Sequence, residues 1–156
     1  MSRWVIRAAS RSDLFDVEKI ERCCFAAPRR SSRRALRHSL TSPHQHVWVA
    51  ESRALGKREM AGVLILRRHP LSLRIFSLAV LPAYRGHGIG RALLLRALRE
   101  ARRQRRRYVT LEADLRDASL IRWYANVGFE KTRRLLDYYA PGRHAWRMRC
   151  RLPVRK

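Results

Sequence analysis

The segment Val80-Leu-Pro-Ala-Tyr-Arg85-Gly86-His87-Gly88-Ile89-Gly90-Arg91 sets three glycines between an apolar run, Leu73 to Leu81, and a long stretch of helix-forming residues. A turn of this composition can hold a phosphate group. Glycine accepts positive φ and lets an anion approach the backbone. A helix opening there turns free N–H groups and the positive end of its dipole outward, and Arg85 and Arg91 supply full charges. The alternative is a tight strand-to-helix connection with no ligand. Neither common nucleotide motif is matched, because the P-loop ending Gly-Lys-Ser/Thr and the dinucleotide spacing Gly-x-Gly-x-x-Gly are both absent.

The segment is similar to the acetyl-coenzyme A signature of the GCN5-related N-acetyltransferases, Gln/Arg-x-x-Gly-x-Gly/Ala, with Arg85, Gly88 and Gly90 in the defined positions. The similarity continues at Leu111-Glu112, at Asp117-Ala118 and at Trp123-Tyr124-Ala-Asn-Val-Gly128-Phe129. These resemble the family's second half, Asn-x-x-Ala-x-x-Leu-Tyr-x-x-x-Gly-Phe. Within the family, Leu-Glu, this block and the later Tyr138-Tyr139 most resemble the ribosomal-protein-alanine (RimI) type. The resemblance covers about Leu73 to Arg149 well and the N-terminal third by element order. Asp117 stands where the family usually has Asn and is either a helix N-cap or a cofactor contact. His38 to His46 contains no recognisable substrate-loop motif.

The resemblance implies a mixed α/β fold, a largely antiparallel central sheet flanked by helices, with residues 1–156 as a single N-acetyltransferase domain. It implies acetyl-CoA as co-substrate, held by Leu78 and Val80 of the fourth strand and by Arg85, Gly86, His87, Gly88, Ile89, Gly90 and Arg91. A backbone N–H near Val80 would hold the thioester carbonyl oxygen. Tyr124 matches the family's acid, since a hydroxyl of pKa about 10 can protonate a departing thiolate of about 8.5; otherwise it is a packed aromatic. No carboxylate occurs between Leu73 and Leu81, where many family members carry their base. Glu112 corresponds instead to the base proposed for the ribosomal-protein type, acting through water, or it is a strand glutamate paired with arginine. Tyr138 and Tyr139 shape the acceptor groove or are ordinary strand residues.

The acceptor is narrowed by free energy. Neutralising a lysine of pKa about 10.4 at pH 7 costs roughly 4.6 kcal/mol, against about 1 kcal/mol for an α-amine near 7.8. A weak base therefore favours a protein or peptide N-terminus over lysine or a small-molecule amine.

The elements that must position these residues follow from periodicity. Trp4 to Ala9 reads as a strand. Leu14, Val17, Ile20 and Cys24 make an amphipathic helix capped at Ser12, and a short helix follows Ser31-Ser32. His46 to Glu51 and Met60 to Arg68 pair across a turn containing Gly56, and Leu73 to Leu81 is a fourth strand. A helix from about Arg91 to Arg106 leads to a strand at Tyr108 to Ala113. Ala118 to Asn126 is a helix closed by Gly128. Strands near Glu130 to Leu136 and Ala145 to Leu152 finish the chain.

The net charge of +24 over 156 residues arises from 36 basic side chains, mostly arginine, against 12 acidic ones. A field of that sign draws in coenzyme A, RNA or acidic peptides and repels polyamines and aminoglycosides. Arg102-Arg103-Gln-Arg105-Arg106-Arg107, with Arg29-Arg30 and Arg33-Arg34, leaves room for a ribosome or RNA contact, although no RNA-binding aromatic motif accompanies them. Cys23, Cys24 and Cys150 form neither a disulfide framework nor a metal-ligand set, which suggests reduced thiols in a cytoplasm and no metal. No apolar run has membrane-spanning length, so no membrane association is expected.

Overall fold

The computed structural model describes residues 4–53 and 57–153; the turn expected at Gly56 lies outside them. In chain order the elements are β1 (Trp4–Ala8), α1 (Leu14–Cys24), α2 (Arg33–Thr41), β2 (Gln45–Ser52), β3 (Glu59–Arg68), β4 (Ser72–Val80), α3 (Ile89–Arg103), β5 (Tyr108–Asp114), α4 (Ala118–Val127), β6 (Glu130–Ala140) and β7 (Arg143–Arg151). The seven strands are hydrogen-bonded in the order β1-β2-β3-β4-β5-β7-β6, and the sheet is mostly antiparallel with one parallel pair, β4 with β5. The chain divides into two compact units, Met1–Arg68 with Phe76–Ala97, and His69–Ile75 with Leu98–Lys156.

In the first unit, β3 is buried along Met60–Leu66, as a continuous apolar run requires when both faces are covered. Leu14, Val17 and Ile20 of α1 and Leu36 of α2 meet Val47, Val49, Val63 and Ile65 in one core. A Cβ at Gly62 would lie 3.0 Å from the Ala79 carbonyl oxygen and 3.1 Å from Leu93 Cδ1, so glycine is what lets α3 approach β3 this closely. The helix start differs from expectation. Ser12 lies inside a 3-10 turn, Arg11–Asp13, whose N-cap is Ser10, and the Ser10 N–H donates to Asp13 Oδ2 at 2.8 Å. Asp13 is fixed in turn by a bidentate pair with Arg7, both contacts 2.9 Å. Ser32 caps α2 as expected, its Oγ accepting from Ala35 N–H.

Glu21 is buried on α1, with Ser77 Oγ donating to its Oε1 at 2.9 Å. Burial pushes its carboxyl above the usual range, and the hydrogen bonds from Ser77 and the Ser31 backbone only partly oppose this. A carboxyl raised in the folded state stabilises the fold fully below its unfolded pKa and loses that contribution as pH climbs through the folded value. Glu21→Gln is therefore expected to raise Tm at pH 8 relative to the parent, with the gain shrinking towards pH 4. A thermal melt series across that range checks it, and a gain that grows on acidification would contradict the assignment.

In the second unit, β5 and β7 pair from Tyr108↔Arg151 to Asp114↔Ala145, and β6 covers the other edge of β7. Val109, Leu111, Met148 and Cys150 bury one face of this sheet. α3 ends at Arg103, three residues before its expected end, and Arg105 takes a left-handed conformation, φ 55°. Part of the basic run is then structural: Arg103 pairs with Glu100, and Arg106 Nη1 donates to the carbonyls of His69 and Pro70 at 3.1 and 2.7 Å. β6 runs four residues past its expected end at Leu136, across a bulge at Asp137, φ 51°.

Candidate active site

β4 ends at Val80, and the Leu81 N–H donates to Ala61 O at 2.8 Å. A 3-10 turn, Pro82–Tyr84, carries the chain into the glycine segment. Gly86 and Gly88 have φ of 79° and 80°, which side-chain-bearing residues rarely adopt, and nothing lies within 4 Å of a Cβ built on either. The backbone there is open to a ligand. α3 begins at Ile89, two residues before the sequence suggests, so Ile89, Gly90 and Arg91 contribute N–H groups of the first turn, which helix geometry leaves without a carbonyl one turn back. Ala92 is the first to close the turn, onto Gly88 O at 3.0 Å. Arg91 is exposed beside these donors. Three N–H groups, an approachable glycine backbone and a neighbouring guanidinium fit a pyrophosphate.

Arg85 is placed differently from a simple phosphate ligand. Its Nε donates to Val80 O at 2.9 Å, and Cys24 Sγ donates to the same oxygen at 3.4 Å. The arginine thus braces the end of β4 against the turn. His87 Nδ1 sits 3.0 and 3.2 Å from the carbonyls of Arg85 and Tyr84, a second brace. Leu78 and Val80 share the half-buried face of β4, alternating with buried Ala79.

In the second unit, α4 is capped by Asp117, whose Oδ1 accepts from Leu120 N–H at 3.0 Å, and closed by Gly128 at φ 116°. Asp117 therefore takes the N-cap role. Tyr124 lies on the inner side of α4, 6% exposed, in edge contact with Trp123 and Phe129 at ring-centroid distances of 5.0 and 5.6 Å. Among the described residues its hydroxyl has no hydrogen-bond partner. Burial, followed by the proximity of Tyr139 and Asp117, pushes its ionisation well above the ordinary phenol value, so the hydroxyl keeps its proton at any working pH.

Glu112 is 5% exposed in its side chain and lies between two guanidiniums. Arg74 of β4 donates from Nε to both carboxylate oxygens, at 3.2 and 2.9 Å, and Arg147 of β7 donates to Oε1 from Nε and Nη2 at 3.3 and 3.2 Å. Oε2 accepts from Arg74 alone among the described residues and keeps room for another donor. Arg74 Nη2 also donates to the Tyr138 hydroxyl at 2.8 Å. Tyr138 and Tyr139 lie edge to face, centroids 5.0 Å apart, on the part of β6 beyond the bulge. One arginine thus gathers Glu112 and Tyr138, two of the residues singled out in the sequence.

The family model of the acetyltransferase (GNAT) domain matches residues 43–131 of this chain. The chain belongs to the GNAT acetyltransferase family. It is 33% identical over 148 residues to the N-alpha-acetyltransferase RimI of Mycobacterium tuberculosis, an alignment covering 92% of this chain and 90% of that protein. It is 34% identical over 79 residues to the N-alpha-acetyltransferase MAK3 of Arabidopsis thaliana, covering 51% of this chain but spanning only 42% of that relative. Its fold is shared by the ribosomal-protein-S18-alanine N-acetyltransferase of Escherichia coli, with a TM-score of 0.87 at 21% identity over 98% of this chain and 96% of that one.

In this GNAT member two residues that the sequence did not disclose, Arg74 and Arg147, surround the candidate residue Glu112. In a chain so rich in arginine, an isolated one on a strand carries no signal. The pairings Arg74↔Thr110 and Glu112↔Arg147 bring both to the carboxylate, and register is a property of the folded sheet.

Proposed function

We propose that the chain is an N-acetyltransferase that moves the acetyl group of acetyl-CoA onto the α-amine of a protein N-terminus by direct attack on the thioester. The observation that carries this reading is the similarity to an N-alpha-acetyltransferase along nine-tenths of both chains. Residues 1–156 act as one catalytic domain, a reading supported by β4 and α3, each of which runs without a break from one compact unit into the other.

The Gly86–Arg91 backbone and Arg91 bind the pyrophosphate of the co-substrate, with Arg85 and His87 shaping the turn. Leu78 and Val80 lie past the three β4–β5 pairs, Ser72↔Tyr108 to Arg74↔Thr110, and the N–H near Val80 serves the thioester oxygen. A water held on Oε2 of Glu112 takes the proton from the amine, and Tyr124 protonates the leaving thiolate. Tyr138, oriented by Arg74, and Tyr139 line the acceptor's path. Three unpaired cysteines agree with a cytoplasmic setting. The described residues contain no helix long and apolar enough to cross a membrane.

The test is a panel of peptides with free α-amines and matched peptides with blocked N-termini and an internal lysine, incubated with acetyl-CoA and read by mass. Gains of one acetyl group confined to free α-amines are expected. Acetylation of lysine peptides alone would replace this reading by the lysine one.

A further inference from the structure

Strand register in the second unit gathers an unusual set of side chains on one outward face. Across β5 and β7 the pairs are Tyr108↔Arg151, Thr110↔Arg149 and Glu112↔Arg147; across β7 and β6 they are Arg149↔Glu130 and Arg147↔Arg133. Paired residues share a face, so this side carries Arg74, Arg133, Arg147, Arg149 and Arg151 against Glu112 and Glu130, with Asp114 at its far end held by Arg116 and Arg143. The opposite side holds the buried residues Val109, Leu111, Met148 and Cys150. Glu112 is sunk between Arg74 and Arg147, and exposed Glu130 meets Arg149 only at 3.5 Å, a contact of little strength in water. Positive charge is in clear surplus here.

These guanidiniums are also organised. Arg149 stacks over the Tyr108 ring at 4.8 Å and Arg151 lies 5.9 Å from it, its Nη2 donating to the Tyr108 hydroxyl at 3.4 Å. The phenol is drawn below its ordinary range, first by that hydrogen bond and by the charge of Arg151, with Arg149 and Arg107 adding to it. Stacking fixes the plane of a guanidinium and leaves its donor edge for a carboxylate. Arg147, Arg149 and Arg151 recur at alternate strand positions, roughly 6.7 Å apart, the repeat of side chains along one side of an extended peptide.

We propose that this face, through Arg133, Arg147, Arg149 and Arg151, receives an acidic segment of the acceptor polypeptide that follows the residue to be acetylated. The proposal rests on the N-terminal acetylation reading, because it places the acidic segment beside Glu112 and Tyr138, the residues assigned to the acceptor. A peptide is favoured over single-stranded RNA because the Tyr108 ring, which a base would need for stacking, is already covered by Arg149.

The test uses three decapeptides with the same first residue and Glu, Gln or Lys at positions 2 to 5, each with a free and an acetylated N-terminus. For the free forms, kcat/KM at low salt is expected to be at least tenfold higher for the Glu peptide than for the Gln peptide, and lowest for the Lys peptide. In an Arg149→Gln/Arg151→Gln variant the Glu-to-Gln ratio is expected to fall below threefold. Arg133→Gln, read by the same ratio, stands in if the double variant does not melt cooperatively. The acetylated forms, fluorescently labelled, separate the two readings. Tenfold tighter binding of the Glu form by anisotropy, lost in the variant, upholds the face even if no free peptide is acetylated. Equal binding of the Glu and Gln forms overturns it even if both are acetylated, and so does a decameric RNA that binds through these arginines while the Glu peptide does not.

Discussion

Tyr124→Phe is expected to lower kcat by about 10²-fold or more while leaving the affinity for acetyl-CoA within about twofold. General-acid assistance typically contributes 10² to 10⁴-fold, and in the proposed role the hydroxyl is needed only as the thiolate departs. Phe keeps the ring, and with it the edge contacts to Trp123 and Phe129. A role confined to packing therefore predicts almost no change, and the removed oxygen has no protein partner among the described residues to leave unsatisfied. Burial keeps the Tyr124 phenol protonated through the physiological range, so a proton is present on the oxygen when the thiolate departs. The same rise makes it a weaker acid, and its transfer must be driven by the charge that develops on the sulfur. Single-turnover acetylation at saturating peptide, with cofactor affinity measured separately, is the measurement. A variant with the parent's chemical rate would return Tyr124 to the core.

Much of this fold is legible in the sequence because local chemistry and global arrangement agree. Ser32, Asp117 and Gly128 act at the helix ends where their residue types predict them, and the strands β2, β3, β4 and β5 lie within a residue or two of their apolar runs. Where neighbouring residues compete, local reading fails. Ser10, Ser12 and Asp13 can each cap a helix. Ser10 stands at the N-cap of the 3-10 turn and Asp13 at that of α1, where its carboxylate is taken by Arg7 of β1 and the Ser10 N–H instead of the helix, and Ser12 caps neither. The extension of β6 past Leu136 was hidden because Asp137 takes a left-handed backbone without being glycine. Its Oδ1 accepts from Gly142 N–H at 2.7 Å, and its own N–H donates to His144 Nδ1 at 2.9 Å.

The glycine turn is legible for a different reason. Its proposed role rests on backbone N–H groups and φ angles, which residue type constrains directly. The surroundings of Glu112 lie in tertiary pairing and are not. Arg85 shows the limit, since the motif places it in the turn but gives no hint that its guanidinium closes onto Val80.

Glu112→Gln is the other substitution expected to have a large effect, and the two arginines sharpen what it tests. If the carboxylate only holds Arg74 and Arg147, its loss leaves two guanidiniums short of an anion. The damage should then appear in stability and in the placing of Tyr138, with a rate defect independent of pH. If Oε2 holds the water that receives the amine's proton, the defect must depend on how much of the acceptor arrives already neutral. For an α-amine of pKa about 7.8 the neutral fraction is about 5% at pH 6.5 and about 80% at pH 8.5. A variant left with solvent as its base can use only that fraction. Its kcat/KM should therefore climb by more than tenfold over the interval while the parent's climbs less, giving a defect on the order of 10²-fold at pH 6.5 that narrows at pH 8.5. The measurement is the pair of kcat/KM profiles on one N-terminal peptide, with a melt and an acetyl-CoA titration to show that the variant is folded and loaded. Parallel profiles separated by a constant factor would assign Glu112 to holding the arginines. Coincident profiles would remove it from both roles and leave solvent as the base.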